Sequence, residues 1–193
     1  MTLNAVGDYS LGILAGGQGQ RWGGRDKGLI AFNGRPLLAN VCQPRPVRAQ
    51  EILICCRDNA HFYRHYGDRV LCESLPNRGP CAGISALLSA TETQTVMILP
   101  ADLLCTSTPL IDAMEATWTE EDQAIVLTDP LGHHSPCLRL AKAALMPCCA
   151  FIEGGGTKLS DLLELLNARR VPVEGAWLRD ADSPAAMAAY AEP

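Results

Sequence analysis

The stretch that decides the fold is LGILAGGQGQRWGGRDKGLIAFNGRPLL, which spans residues 11–38. It opens with a short apolar run, residues 11–15, that is typical of a strand buried on both faces of a parallel sheet. Five glycines then fall within nine positions, and three cationic side chains follow closely: Gly16, Gly17, Gly19, Gly23 and Gly24, then Arg21, Arg25 and Lys27. A buried strand that breaks into a glycine-rich, cationic turn predicts a loop that binds phosphate.

The chemistry of this loop fits a nucleoside triphosphate. Glycine tolerates positive φ and lets a ligand approach the backbone, and successive N–H groups can enclose an anion. Arginine and lysine supply the charge that phosphates require. A Walker A loop is excluded because Lys27 is followed by Gly28 rather than by Ser or Thr, and the dinucleotide fingerprint is matched only with one residue too many. The alternative is a glycine-rich surface loop without a ligand.

Composition sets the broad class. The chain has 193 residues, 48% of them hydrophobic and 19% charged, which predicts a single domain over residues 1–193 with residues 1–9 as a loose lead-in. The net charge of −5 argues against nucleic acid as a partner. No apolar run reaches the length of about 18 residues that a membrane helix needs, and the first residues lack the features of a signal peptide. Nine cysteines without metal-ligand spacing indicate a reduced, cytoplasmic protein.

The order of elements predicts the architecture. Strand-like runs alternate with helical segments, and residues 51–56, 69–72 and 124–128 read as further strands. This alternation predicts a three-layer α/β/α sandwich around a Rossmann-like, mostly parallel sheet. We also expect a helix over residues 36–41, with Pro36 in its first turn, and a short strand over residues 176–178.

One carboxylate stands out. The apolar run of residues 95–100 ends in Pro100-Ala101-Asp102. In an open parallel sheet, ligands collect beyond the carboxyl ends of the strands, so Asp102 should face the same crevice as the glycine-rich turn. A carboxylate oxygen there suits Mg²⁺ bridging phosphate oxygens. The alternative is an aspartate that caps the following helix.

These motifs resemble a known family. LAGGQGQRWGGRDKGL followed by GRPLL is similar to the signature of nucleotidyltransferases related to molybdenum cofactor guanylyltransferase, L-A-G-G-x-S/G-x-R-M-G-G-x-D-K-x-L followed by G-x-P-L. Trp22 stands where methionine is usual. The resemblance implies the nucleotidyltransferase type of this fold. It also implies Mg²⁺-dependent transfer of GMP from GTP to molybdopterin, or to its molybdenum form, with molybdoenzyme or chaperone clients as further partners.

The resemblance assigns roles to the first loop and to two aspartates. Arg21, Lys27 and Asp102 would be catalytic, with Lys27 neutralising charge at the α-phosphate and Asp102 binding the metal. Asp182, in a motif similar to N/D-T-P, would be the second metal ligand, although it would also suit the N-cap of the last helix. The nucleotide would be bound by Leu14, Ala15, Gly16, Gly17 and Gly19 of the first loop and by Glu73, Gly79 and Gly83 of the segment ESLPNRGPCAG.

Four positions are less certain matches to the family. Leu104 replaces the second proline of the family's P-x-D-x-P motif, and Arg57 takes the place where an asparagine near the nucleotide is expected, with Asn59 two residues on. His134 is a candidate contact to the pterin, or a polar turn residue. Two other functions stay open: a cytidylyltransferase that uses CTP, against which Gly16 argues, and a non-catalytic nucleotide-binding protein of the same fold.

Overall fold

The computed structural model describes residues 8–16, 22–72 and 79–191. Nine strands lie within these ranges: β1 (Tyr9–Ala15), β2 (Ala31–Phe32), β3 (Arg35–Pro36), β4 (Ala49–Cys56), β5 (Arg69–Cys72), β6 (Thr95–Pro100), β7 (Ala124–Thr128), β8 (His134–Ala141) and β9 (Arg169–Pro172). Seven of them form one sheet in the order β5-β4-β1-β6-β8-β7-β9, while β2 and β3 form a separate hairpin. In the large sheet only β8 is antiparallel to its neighbours, so the predicted mostly parallel sheet is confirmed.

Helices cover both faces of the sheet. The α-helices are α1 (Leu38–Cys42), α2 (Ala60–Tyr63), α3 (Gly79–Ala90), α4 (Thr108–Thr117), α5 (Leu145–Glu153), α6 (Leu159–Leu165) and α7 (Pro184–Ala191). The described residues also contain three 3₁₀ turns, at Lys27–Leu29, Lys142–Ala144 and Gly175–Leu178. Within the described residues no helix is both long and apolar enough to cross a membrane.

Strand periodicity divides the core in two. Tyr9, Leu11 and Ile13 of β1 point to one face, where they pack with apolar residues of α1, α2 and α4. The opposite face packs against α3, α5 and α6 through a second cluster that includes Leu87. Gly12 lies on that second face, and a β-carbon there would be 3.0 Å from Leu87 Cδ1, so the glycine lets α3 pack directly on the central strand. The result is the predicted three-layer sandwich.

Three boundaries predicted from the sequence are wrong. β1 begins at Tyr9, which is fully buried, so the lead-in cannot extend to residue 9. Pro36 pairs with Ala31 in the β2–β3 hairpin rather than starting a helix, because Asn33 and Gly34 both take the positive φ values of a tight hairpin turn. Residues 176–178 belong to a 3₁₀ turn instead of a strand.

Packing of α3 on β1 gives the first prediction. Leu87→Ala leaves a cavity beside Gly12 and should lower the free energy of unfolding by about 2–5 kcal/mol. Urea unfolding followed by circular dichroism measures this loss. Leu165→Ala is the control, because that side chain is 53% exposed, and it should change stability by no more than about 0.5 kcal/mol. Equal losses in the two variants would contradict this packing.

An ion pair fixes the edge strand β9. Arg169 Nε and Nη2 donate to the two carboxylate oxygens of Asp122 at 2.9 and 2.6 Å, and Thr119 N–H donates to the same carboxylate at 2.8 Å. These hydrogen bonds, led by those from Arg169, hold the pKa of Asp122 below its usual range. The pair therefore links the turn after α4 to the start of β9.

The second prediction concerns the pH dependence of this pair. Asp122→Asn should lower the free energy of unfolding at pH 7 by about 1 kcal/mol, since solvent screens the pair. Because the folded pKa of Asp122 is depressed, the stabilisation is present above the unfolded value of about 3.9 and is lost as pH falls through the folded pKa. Urea midpoints of wild type and variant should thus converge below about pH 4. A constant difference from pH 7 to pH 3 would contradict the assignment.

Candidate active site

The candidate site lies at the edge where parallel strands end. β1, β4, β5 and β6 all run in the same direction, so their carboxyl ends share one edge of the sheet. Asp102 lies two residues beyond the end of β6, and Ala101 N–H donates to the Leu14 carbonyl at 3.0 Å, which ties this segment to the end of β1. Lys27 begins the 3₁₀ turn that follows the glycine-rich stretch. The topology thus brings Lys27 and the end of β1 to the same edge as Asp102.

One ammonium group joins three distant parts of the chain. Lys27 Nζ lies 3.0 Å from Asp102 Oδ2 and 3.0 Å from Asp182 Oδ1. The side chains of Lys27 and Asp102 are 20% and 15% exposed, and that of Asp182 is 55% exposed, so the cluster opens to solvent on one side. Burial lowers the pKa of Lys27, but the two carboxylates outweigh that effect and hold the pKa above its ordinary value. Lys27 is therefore a fixed positive charge at physiological pH.

Backbone pairing places Asp182 beside Asp102. Leu104 N–H donates to the Arg179 carbonyl at 3.0 Å, and Ala181 N–H donates to the Asp102 carbonyl at 2.8 Å. An antiparallel bridge between Leu103 and Asp180 lies between these two bonds. The C-terminal segment is therefore paired with the residues that follow β6, which explains how carboxylates 80 positions apart reach one lysine.

Ser183 takes part in capping the last helix. Its Oγ accepts a hydrogen bond from Ala186 N–H at 3.1 Å. Asp182, one residue earlier, accepts a hydrogen bond from Lys27 at its Oδ1.

Asp180 is a third acidic residue at this edge, and it was not predicted from the sequence as a site residue. Burial and the negative charges of Asp102 and Asp182 raise its pKa to about 6, against a smaller opposing effect of Lys27. The spacing Asp180-Ala181-Asp182 could have indicated this residue, because in an extended segment alternate residues lie on the same side. Three aspartates and one lysine therefore lie in this part of the sheet edge.

The donor set fits a hard divalent metal. Asp102 and Asp182 converge on one cationic group, and carboxylate oxygens are ligands that Mg²⁺ prefers. Mg²⁺ in phosphate-transfer sites is commonly held by one or two carboxylates together with substrate phosphates. In the described part of the chain, no three His, Cys, Asp or Glu side chains form a group that could hold a metal by themselves. The site therefore suits a metal whose remaining ligands come from a substrate.

Trp22 attaches the glycine-rich stretch to the C-terminal segment. Its Nε1–H donates to the Ala181 carbonyl at 2.8 Å, one residue before Asp182. Its ring packs on a small apolar cluster that includes Leu104. The cluster, with its partly buried neighbours, comprises Phe32, Leu37, Leu104 and Ala181, with Trp22, Ile30, Met187 and Tyr190. Two departures from the family signature, Trp22 and Leu104, thus meet in one cluster beside the acidic residues.

The remaining predicted nucleotide-binding residues fall into two groups. Leu14, Ala15 and Gly16 lie at the end of β1, at the expected edge. Gly79 and Gly83 lie in the first two turns of α3, and their close contacts are with the protein itself. A β-carbon at Gly83 would be 2.6 Å from Leu14 Cδ2, and one at Gly79, where φ is +57°, would be 2.7 Å from the Thr157 carbonyl oxygen. Their nucleotide contacts stay predictions.

Other predicted residues have mixed outcomes. Gly17, Gly19, Arg21 and Glu73 lie outside the described residues. His134 begins β8 rather than lying in a turn, and burial followed by the charge of Arg170 lowers its pKa. Its contact to an acceptor also stays a prediction.

Comparison with known proteins identifies the family. Residues 11–171 match the MobA-like NTP transferase domain. The chain belongs to this family. The prediction of a nucleotidyltransferase, made from residues 11–38, is thereby confirmed.

Two curated relatives of this MobA-like protein have the same name. It is similar to the molybdenum cofactor guanylyltransferase of Pseudomonas syringae pv. tomato, with 35% identity over 151 residues that cover 77% of this chain and 73% of that protein. The protein of the same name from Shewanella halifaxensis is 30% identical over 149 residues, covering 76% of this chain and 74% of the relative.

Solved structures share its fold. Molybdopterin-guanine dinucleotide biosynthesis protein A from Archaeoglobus fulgidus superposes with a TM-score of 0.75 at 19% identity, covering 94% of this chain and 96% of that one. A CMP:2-keto-3-deoxy-manno-octonic acid synthetase complexed with CTP gives a TM-score of 0.73 at 12% identity, with the same coverage.

The contact of Trp22 gives the third prediction. Trp22→Phe keeps an aromatic ring but removes the donor to the Ala181 carbonyl, so residues 179–191 should open more readily. We expect amide hydrogen exchange in this segment to quicken by about fivefold, in line with a hydrogen bond worth about 1 kcal/mol. Trp118→Phe, which alters the ring stacked on Arg139, is the control and should leave exchange in this segment unchanged. Unchanged exchange in Trp22→Phe would contradict the role of the indole.

Proposed function

We propose that this MobA-like protein transfers the GMP group of GTP to the phosphate of a molybdopterin-type acceptor, with Mg²⁺ as the metal, and so forms a guanine dinucleotide cofactor. The observation that carries the proposal is the Lys27 ammonium held 3.0 Å from both Asp102 and Asp182 at the carboxyl edge of the sheet. The names of the curated relatives support GTP and molybdopterin as substrates.

The proposed reaction is an in-line displacement at phosphorus. An oxygen of the acceptor phosphate forms a bond to the α-phosphorus of GTP, the bond from that phosphorus to the bridging oxygen breaks, and pyrophosphate leaves with the electron pair. Positioning and charge neutralisation dominate such reactions, so no covalent intermediate on the protein is needed. Burial raises the pKa of the Cys56 thiol, at the end of β4, to about 11, which keeps it from acting as a thiolate nucleophile.

Each charged residue has a proposed role. Asp102 and Asp182 would hold Mg²⁺, which when bound supplies positive charge to the phosphate oxygens. Lys27 keeps both carboxylates in place and presents a permanent positive charge for the α-phosphate. Arg21, Gly17 and Gly19 would bind the remaining phosphates through the guanidinium and the backbone N–H groups.

The nucleotide is proposed to be GTP because Gly16 follows Leu14 and Ala15, as in the L-A-G-G signature of the guanylyltransferases, and because the curated relatives are named guanylyltransferases. Gly79, Gly83 and Glu73, at the start of α3 and in the segment before it, are proposed to contribute to the base pocket. No disulfide joins the nine cysteines, all of which lie within the described residues, and this supports a cytoplasmic location.

Nucleotide binding and transfer test this function. Isothermal calorimetry with GTP, CTP and ATP in the presence of Mg²⁺ should show tight binding of GTP alone, and a transfer assay with molybdopterin should release pyrophosphate. Preferred binding of CTP would indicate the cytidylyl reaction instead. Binding of GTP without turnover would indicate the non-catalytic alternative.

The fourth prediction distinguishes the role of Asp102 from that of Lys27. Asp102→Asn should slow transfer by about 100-fold or more while leaving GTP binding in EDTA nearly unchanged, because it removes a metal ligand and keeps the side-chain shape. Lys27→Met should weaken GTP binding itself by about tenfold. Lys142→Met is the matched control, since its ammonium bonds to the Thr91 carbonyl at the opposite edge of the sheet. Full activity of Asp102→Asn would overturn the metal assignment.

A further inference from the structure

Asp26 stands at the N-cap position of the Lys27–Leu29 turn but does not cap it. No backbone N–H of the turn donates to its side chain. Both carboxylate oxygens instead accept hydrogen bonds from the segment after β4: Tyr63 Oη donates to Oδ1 at 2.5 Å and Asn59 Nδ2 donates to Oδ2 at 3.1 Å. Because the Asp26 side chain bonds to Tyr63 and Asn59 rather than to its own turn, these two tertiary hydrogen bonds fix the position of the turn.

Tyr63 is suited to be a permanent donor. It is fully buried at the end of α2, and it packs with the core cluster on that face of the sheet. Burial, followed by its bond to the Asp26 carboxylate, raises the pKa of its hydroxyl far above the ordinary range. The hydroxyl therefore stays protonated and can only donate to Asp26.

Gly28 shows how closely this turn is held. A β-carbon there would lie 2.9 Å from Tyr63 Oη and 3.0 Å from Ala101 Cβ. The turn is thus enclosed between α2 on one side and the residue before Asp102 on the other. Because Lys27 lies between Asp26 and Gly28, its Cα is fixed relative to Asp102 by contacts on both flanks.

We propose that Tyr63 is a positioning residue of this active site: through Asp26 it sets the place of Lys27 between Asp102 and Asp182. The effect of Tyr63 on nucleotide binding and transfer rests on the proposed function, whereas its effect on the position of Lys27 does not. The two donors engage both oxygens of Asp26, whereas the Lys27 ammonium donates to Asp102 and Asp182.

The consequence for catalysis follows from geometry. Charge stabilisation in phosphate transfer depends on donor placement, and displacements of about 1 Å cost up to about 100-fold in rate. Loss of the Tyr63 hydroxyl leaves Asp26 Oδ1 without its buried donor and opens the contact against Gly28. The turn can then shift, and Lys27 with it.

The fifth prediction uses Tyr63→Phe, with Tyr66→Phe as a control on a partly buried tyrosine of the same region. The chain contains three lysines, Lys27, Lys142 and Lys158, so ¹⁵N-lysine NMR of the ligand-free protein resolves the ammonium of Lys27. We expect the Lys27 signal to shift in Tyr63→Phe and to stay in place in Tyr66→Phe, with Lys142 unchanged in both. An unchanged Lys27 signal in folded Tyr63→Phe overturns the proposal.

A double-variant cycle tests the kinetic part. Tyr63→Phe should weaken GTP binding by about tenfold, and the same change made in Lys27→Met should add almost nothing, because residues that act through one another are non-additive. Equal losses in both backgrounds would show that Tyr63 acts on stability alone and would contradict positioning. If the wild type binds no nucleotide, the proposed function fails while the NMR result still decides the position of Lys27.

Discussion

The site depends on a single cation between two carboxylates. Lys27 comes from the first loop, Asp102 from the end of β6 and Asp182 from the segment before the last helix, and the ammonium is 3.0 Å from each acid. Without that charge, the carboxylates of Asp102 and Asp182 would lie close together with no cation between them, near Asp180, whose pKa is raised by burial and then by the two other aspartates. Mutual repulsion would then oppose pairing of the C-terminal segment with residues 102–104. The Lys27 ammonium that holds this edge of the sheet together is also the charge that would contact a bound triphosphate.

Lys27 and Asp182 are each held in position by contacts with other parts of the chain. The lysine turn is enclosed by Tyr63 and Ala101, with Asp26 bonded to α2 instead of capping the turn. Asp182 is positioned by the Leu103–Asp180 bridge and by the Trp22 bond to the Ala181 carbonyl. Preorganisation of this kind suits a reaction in which the protein supplies placement and charge but forms no covalent bond.

The departures from the family signature are compatible with the site. Trp22 replaces a methionine and Leu104 replaces a proline, yet both pack in the same apolar cluster with Phe32 and Leu37. The indole also adds a hydrogen bond that a methionine thioether cannot donate. Asn59, two positions beyond the place where the family has its asparagine, bonds to Asp26. These residues hold the segments that carry Lys27 and Asp182.

The sequence by itself determined the family and the alternation of strands and helices, because glycine-rich turns and strand-end acids are local patterns. It also predicted Lys27 and Asp102 as site residues, and Asp182 through the resemblance to the family. The bounds of β5 and β7 were also local, since each is a short apolar run between polar residues. The β2–β3 hairpin was not predicted, although the pair Asn33-Gly34 is typical of a tight hairpin turn. Only the tertiary structure decided that Asp180 lies beside Asp102 and that Tyr63 bonds to Asp26. Those contacts join residues dozens of positions apart, and their geometry follows from strand order and helix packing, which no local pattern specifies.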